Sequence, residues 1–216
     1  MDKSFNKGFA FILEGDTERE FYFSFLEFLC QKHGATLSRT INKSDPDINY
    51  VLKTEDGASL IKFKVANTIT QVPHTGKWFN SQCVGKYDSG MDWYVFLCYD
   101  KDDYKEDISK FYEGDWMFLR KSLKKAKQII DVAAAADIED VMLQDNKNIC
   151  HFIGCEPPVT LKGKKGKAKL KNLFREHGRC YHAGKRAKDL IHALDMNALI
   201  EGGLVPLKEI ERLLFG

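Results

Sequence analysis

The chain has 216 residues, 44% hydrophobic and 30% charged, with a formal net charge of +2 at pH 7. This is the composition of an ordinary globular protein, with enough apolar material for one sizeable core and a small appendage. No run approaches the roughly 18 to 20 apolar residues that a membrane span needs, and the opening MDKSFNKGFAFILEG is too short and too soon acidic for a signal peptide, so a cytoplasmic protein with no membrane partner is expected.

The first element is GFAFIL, an unbroken apolar run of strand length bounded by Gly8 and Gly15, as a strand buried on both faces requires. Asp16 or Thr17 can cap the helix that follows, and Glu18 and Glu20 occupy its favourable first turn. Phe21, Phe25, Phe28 and Leu29 give that helix one apolar face, and Gly34 supplies a stop. TLSRTI and LIKFKV are short and alternating, as half-buried strands are. A polar stretch with Pro73, Gly76, Gly85 and Gly90 is expected to be irregular with one helix. Within it, Trp78 and Phe79 beside His74 and Lys77 either anchor the loop or contact a nucleic acid.

DWYVFLCYD then delivers a second buried run, again ending on an acid. A helix over residues 115–127 follows, then QIIDVAAAA as a third core strand and DIEDVMLQD as a helix opened by Asp137. From residue 169 onward the periodicity is helical. Strands alternating with helices predict an α/β fold with a mostly parallel central sheet flanked by helices. The expected division is a catalytic domain over 1–150 and a basic helical C-terminal region over 151–216 packed on it.

Charge is unevenly placed. Residues 100–115 are acid-rich, whereas residues 162–188 carry eleven Lys and Arg against the single acid Glu176. The six cysteines are scattered and are expected to be reduced; Cys150 and Cys155 with Cys180 and His182 could together make a zinc site, although neither pair has the tight C-x-x-C spacing. His177 and His182 lie in the basic run, as surface histidines or as groups near a bound backbone.

In an open α/β sheet, ligands sit beyond the carboxyl ends of the strands. Glu14 ends the first apolar run, and Asp100 and Asp102 end the one at 93–99, so parallel neighbours would bring the three carboxylates together. Such a group can hold Mg²⁺ or Mn²⁺, bind phosphate oxygens and activate a water.

The Glu-Gly-x-Thr-Glu turn in EGDTEREFYFSFL, followed by an apolar strand ending Asp-Lys-Asp, resembles the Toprim domain of topoisomerases, bacterial primases and OLD-family nucleases. Among these it is most similar to the stand-alone Toprim proteins of the RloB kind. A D-x-D after a strand also occurs in sugar-nucleotide transferases and haloacid-dehalogenase-type phosphatases, but the latter want Thr or Val where Tyr104 stands. The Toprim resemblance implies a Rossmann-like fold with Glu14, Asp100 and Asp102 as catalytic residues and metal ligands. It also implies that Glu18 and Glu139 serve a second metal, and that Gly15 keeps the turn open to a phosphate. Here AAAADI and Val141 stand where relatives carry a Ser-Asn-Pro-type segment and a Trp.

The expected function is a Mg²⁺- or Mn²⁺-dependent nuclease hydrolysing phosphodiester bonds in DNA or RNA, the effector of a prokaryotic phage-defence system. Its backbone contacts would come from Lys162, Lys164, Lys165, Lys167, Lys169, Lys171, Arg175, Arg179, Lys185 and Arg186, one of the lysines neutralising the transition state. Implied partners are DNA or RNA, an ATPase subunit and further copies of the chain. Two rivals are a non-catalytic nucleic-acid-binding or adaptor module, and a phosphatase or phosphotransferase acting on a small nucleotide.

Overall fold

In the computed structural model, residues 5–40, 49–87, 90–101 and 113–216 are described. The strand β1 (Lys7–Leu13) is buried from Gly8 onward because it runs between two parallel neighbours, β4 (Gly57–Val65) and β5 (Asp92–Asp100). With no polar face to present, it can only be written as the continuous apolar run seen in the sequence. The sheet has six strands in the order β2-β3-β4-β1-β5-β6, with β2 (Thr36–Thr40), β3 (Asn49–Thr54) and β6 (Gln128–Ala134) completing it. The four strands from β4 to β6 are parallel, and β2 and β3 add an antiparallel edge. The α/β architecture with a mostly parallel sheet is therefore observed.

Alternation along β1 sorts the core into two layers. Phe9, Phe11 and Leu13 point to one face, where α1 (Asp16–Lys32) supplies Phe21, Phe25 and Leu29. The same cluster contains side chains from α4 (Ile138–Met142), α5 (Asn146–Ile153), α6 (Gly166–Glu176), α7 (Lys188–His192), α8 (Met196–Gly202) and α9 (Leu207–Phe215), from Val141 to Leu214. Ala10 and Ile12 point the other way, onto α2 (Val72–Trp78) and α3 (Glu113–Ser122) through Trp78, Phe79, Trp116 and Leu119. Among the described residues no helix is long and apolar enough to cross a membrane.

Three elements depart from the sequence reading. β3 was not expected; it forms a hairpin with β4, pairing Thr54 with Gly57 around Glu55-Asp56. The polar stretch is more helical than expected, since α2 runs on into a π-helical segment, Phe79–Val84. The expected helix over 115–127 stops at Ser122, because Leu123 is buried and Lys127 already donates its main-chain N–H to Trp93 O at 2.8 Å, at the start of β6's path beside β5.

The approach of α6 to α4 depends on a missing side chain. Asp137 caps α4 by accepting from Asp140 N at 2.7 Å, and it also accepts from Lys167 N at 3.3 Å. Asp140 accepts from Gly166 N at 3.0 Å and from Lys169 Nζ at 2.6 Å. A Cβ on Gly166 would collide with Asp137 Oδ1 and with the main chain of α4. Gly166→Ala gains at most about 1 kcal/mol of helix propensity, against about 1–3 kcal/mol for overpacking. The variant should therefore lower the urea midpoint of unfolding; an unchanged or raised midpoint would show that α6 does not need this contact.

Candidate carboxylate centre

The parallel register that buries β1 also places its exit beside that of β5. Leu13 pairs with Cys98, and the next residue, Glu14, donates its N–H to Cys98 O at 3.1 Å. The Glu14 Oε2 atom accepts from Asp100 N at 3.2 Å. On its other side, Glu14 O accepts from Asn67 N at 2.8 Å, just past the end of β4. Glu14 thus ties together the carboxyl ends of three adjacent strands.

The turn into α1 brings a second acid back over the first. Glu18 is the third residue of α1, and its carboxylate accepts from the main-chain N–H groups of Gly15 and of Glu18 itself. A Cβ on Gly15 would lie 2.9 Å from Glu18 Oε2, so the glycine makes room for this fold-back. Gly15 itself is extended, with φ −143°. Glu18 is buried, and its carboxyl is pushed up to about 7, by burial first and then by the charge of Glu14.

Asp100 and Glu139 complete the group. Burial first, and then Glu18, Glu14, Glu139 and Asp137, hold the Asp100 carboxyl well above the usual carboxylate range. Its Oδ1 is buried without a hydrogen-bond partner among the described residues. Glu139, in the first turn of α4, is pushed up to about 7 by burial, Asp137 and Glu18, and it accepts from Tyr181 Oη at 3.0 Å. Lys167, in the first turn of α6, pulls Glu18 and Glu139 the other way and is the lysine of the basic run that both carboxylates sense. This is a compact set of like charges at one sheet edge, with a cation at its rim.

Of the acids singled out in the sequence, Glu14, Glu18, Asp100 and Glu139 come together, and Asp102 lies outside the described residues. The basic residues disperse. Lys162 pairs with Glu176 at 2.8 Å and Lys169 with Asp140 at 2.6 Å. Arg175 donates to Asn172 at 2.9 Å and Arg179 to Phe152 O at 2.8 Å. Lys164 and Lys165 precede α6, Lys171 is exposed on it, and Lys185 and Arg186 are exposed on the 3₁₀ turn Gly184–Ala187. The zinc arrangement does not form. Cys150 is buried against Cys155 while Cys180 is exposed, and among the described residues no three His, Cys, Asp or Glu side chains surround a point where a metal could sit.

Tyr181 and the particular role of Lys167 had no local signal in the sequence. Nor did the contact in which Gly184 N donates to Thr17 Oγ1 at 2.7 Å and seats the 3₁₀ turn on α1.

No protein-family model and no curated protein matches the sequence. Solved structures similar over most of the chain include the following two. One is the 5'-methylthioadenosine/S-adenosyl homocysteine nucleosidase of Campylobacter jejuni, at 13% identity and a TM-score of 0.30, covering 95% of this chain and 99% of that one. The other is a futalosine hydrolase mutant of Helicobacter pylori, at 7% identity and a TM-score of 0.29, covering 92% and 98%.

The expectation of a DNA or RNA nuclease is corrected here, together with its phage-defence role and the adaptor alternative. The ten basic residues do not form one backbone-gripping surface: Lys169 is paired with Asp140, Arg179 donates to Phe152 O, and Lys185 and Arg186 lie on a separate 3₁₀ turn seated on α1. Neither likeness assigns its own activity to this chain.

The buried acids make stability depend on pH. Glu18 has a folded pKa of about 7 against an ordinary value of 4.5, so between those limits the folded state binds more protons than the unfolded one. Stability is therefore lost as pH rises through this window and is level above it. Glu18→Gln should change stability little at pH 5 and raise it by about 1–3 kcal/mol relative to wild type at pH 8. Urea unfolding at the two pH values checks this; an equal difference at both would remove the protonated-acid assignment.

Proposed function

We propose that the carboxylate centre binds a divalent cation, Mg²⁺ or Mn²⁺, and that the chain is a hydrolase acting at a phosphate group of a small anionic substrate. The observation that carries this is the convergence of Glu14, Glu18 and Asp100 at the carboxyl edge of the sheet, with a buried Asp100 oxygen among them that has no hydrogen-bond partner among the described residues.

The donor set fits a hard cation. Every candidate ligand is a carboxylate oxygen, which suits Mg²⁺ and Mn²⁺ rather than softer metals. Repulsion among buried carboxylates is the state that a bound cation relieves. Since no three of the described side chains already form a cage, the carboxylates must turn to enclose an ion. Glu14 and Asp100 would hold it, with Glu18 beside them. When bound, the ion supplies Lewis acidity toward a phosphate oxygen and a more acidic water.

The other tasks fall to the chain itself. Glu18, buried beside Glu14 with its carboxylate held by the main-chain N–H groups at the start of α1, can take a proton from an attacking water and return it. Tyr181 holds Glu139 by the 3.0 Å hydrogen bond, and Lys167 balances charge at the rim, where an anionic substrate would approach. The Glu-Gly turn and the strand-end Asp shared with Toprim proteins are the parts that meet at this centre, which supports the same reading.

Two measurements test it. Millimolar Mn²⁺ should raise the melting temperature of wild type by about 5 °C or more, as a ligand well above its Kd does, and Glu14→Gln or Asp100→Asn should abolish the rise. Phosphate release from small phosphorylated substrates should fall at least about 100-fold in either variant and in EDTA. Turnover undiminished in EDTA would overturn the cation assignment and leave Glu18 as a proton donor in metal-free hydrolysis.

A further inference from the structure

Beside the centre, on the β4 side of Glu14, a cleft of about 530 Å³ opens between α1, the strands β3 and β4, and the 3₁₀ turn with the start of α7. Its floor is aromatic. Phe23 lies 4.9 Å from Tyr50, and Phe63 meets Tyr50 at 5.9 Å with the rings at 90°. All three are half-buried, so part of each ring faces the cleft.

Its walls are cationic. Three basic side chains, Arg19, Lys185 and Lys188, line the cleft, against two carboxylates. Both carboxylates are engaged by Arg19, which contacts Glu20 at 2.6 Å and Asp16 at 3.5 Å. Lys185 and Lys188 have no carboxylate partner among the described residues, and both are exposed at the mouth. Cationic groups converging beside flat apolar rings match a ligand that carries both an anionic group and a flat ring.

We propose that this cleft binds a nucleoside monophosphate, with its base against Tyr50 and Phe63 and its phosphate toward Lys185 and Lys188. The volume is that of a small-ligand site. The location gives the binding a purpose. Asp16 lines the cleft two residues after Glu14, and Asn67 lines it while donating its N–H to Glu14 O. A nucleotide held here has its phosphate end beside the carboxylate edge. The inference rests on the hydrolase reading for its meaning as a substrate site, but the binding itself stands on the cleft.

The test is therefore a binding measurement in EDTA, where the carboxylate centre holds no cation. Calorimetric titration of adenosine 5′-monophosphate into the full chain should give a dissociation constant in the micromolar range, and adenosine and inorganic phosphate should each bind at least about tenfold more weakly. Lys185→Glu with Lys188→Glu, both at exposed positions that leave the core intact, should weaken binding at least about tenfold and reduce its salt dependence. Tyr50→Ala should weaken it comparably, with circular dichroism confirming the fold. Because the titration is run in EDTA, where no cation is bound, failure of the cation reading leaves this result untouched. Absence of binding at millimolar nucleotide, or equal binding by the double lysine variant, would overturn the proposal. So would a trinucleotide binding more than tenfold tighter than the monophosphate, which would make the site a strand groove.

Discussion

A hydrogen bond from the Asp100 amide to the Glu14 carboxylate joins the exits of two parallel strands, and most of the rest is arranged around what that closeness costs. Parallel pairing aligns strand ends, so residues that follow β1 and β5 must be neighbours whatever their charge. Placing carboxylates there is opposed by desolvation and by mutual repulsion at once, and the surroundings answer both. Main-chain N–H groups at the start of α1 meet Glu18, a tyrosine hydroxyl meets Glu139, and a lysine at the start of α6 sits at the rim. What remains uncompensated is expressed as raised proton affinity.

The compensation is not local to the sheet. Asp137 and Asp140 bind the first turn of α6, so the helix that delivers Lys167 is fixed by the same acidic segment that carries Glu139. Gly166 permits that docking and Gly15 permits the return of Glu18, each by lacking a side chain at a point of close contact. The centre thus depends as much on two absent methyl groups as on the carboxylates themselves.

Much of this was legible in the sequence where a strong local rule applied. A doubly buried strand must be uniformly apolar, so GFAFIL and the run before Asp100 announced β1 and β5, and the acids that ended them were visible by contrast. Asp137 declared a helix start and proved to be the cap of α4. β3 escaped because NYVLKT is short and follows a polar stretch, and its pairing with β4 is stated only by the Glu-Asp-Gly turn. The basic run misled for a different reason. Charge density in a sequence does not record which lysines face carboxylates brought in by the fold, and Lys162 and Lys169 each found one. Tyr181 carried no signal because its partner is 42 residues away.

The bond between Gly184 and Thr17 spans 167 residues and fastens the C-terminal helical segment to the first helix. During synthesis, Glu14 and Glu18 leave the ribosome long before Lys167, Tyr181 and this clasp exist. Until then the nascent acids remain in water, where they are cheaply ionised, and the low-dielectric environment that raises their proton affinity arrives only with the last quarter of the chain. The centre is therefore completed late in the life of the newborn polypeptide.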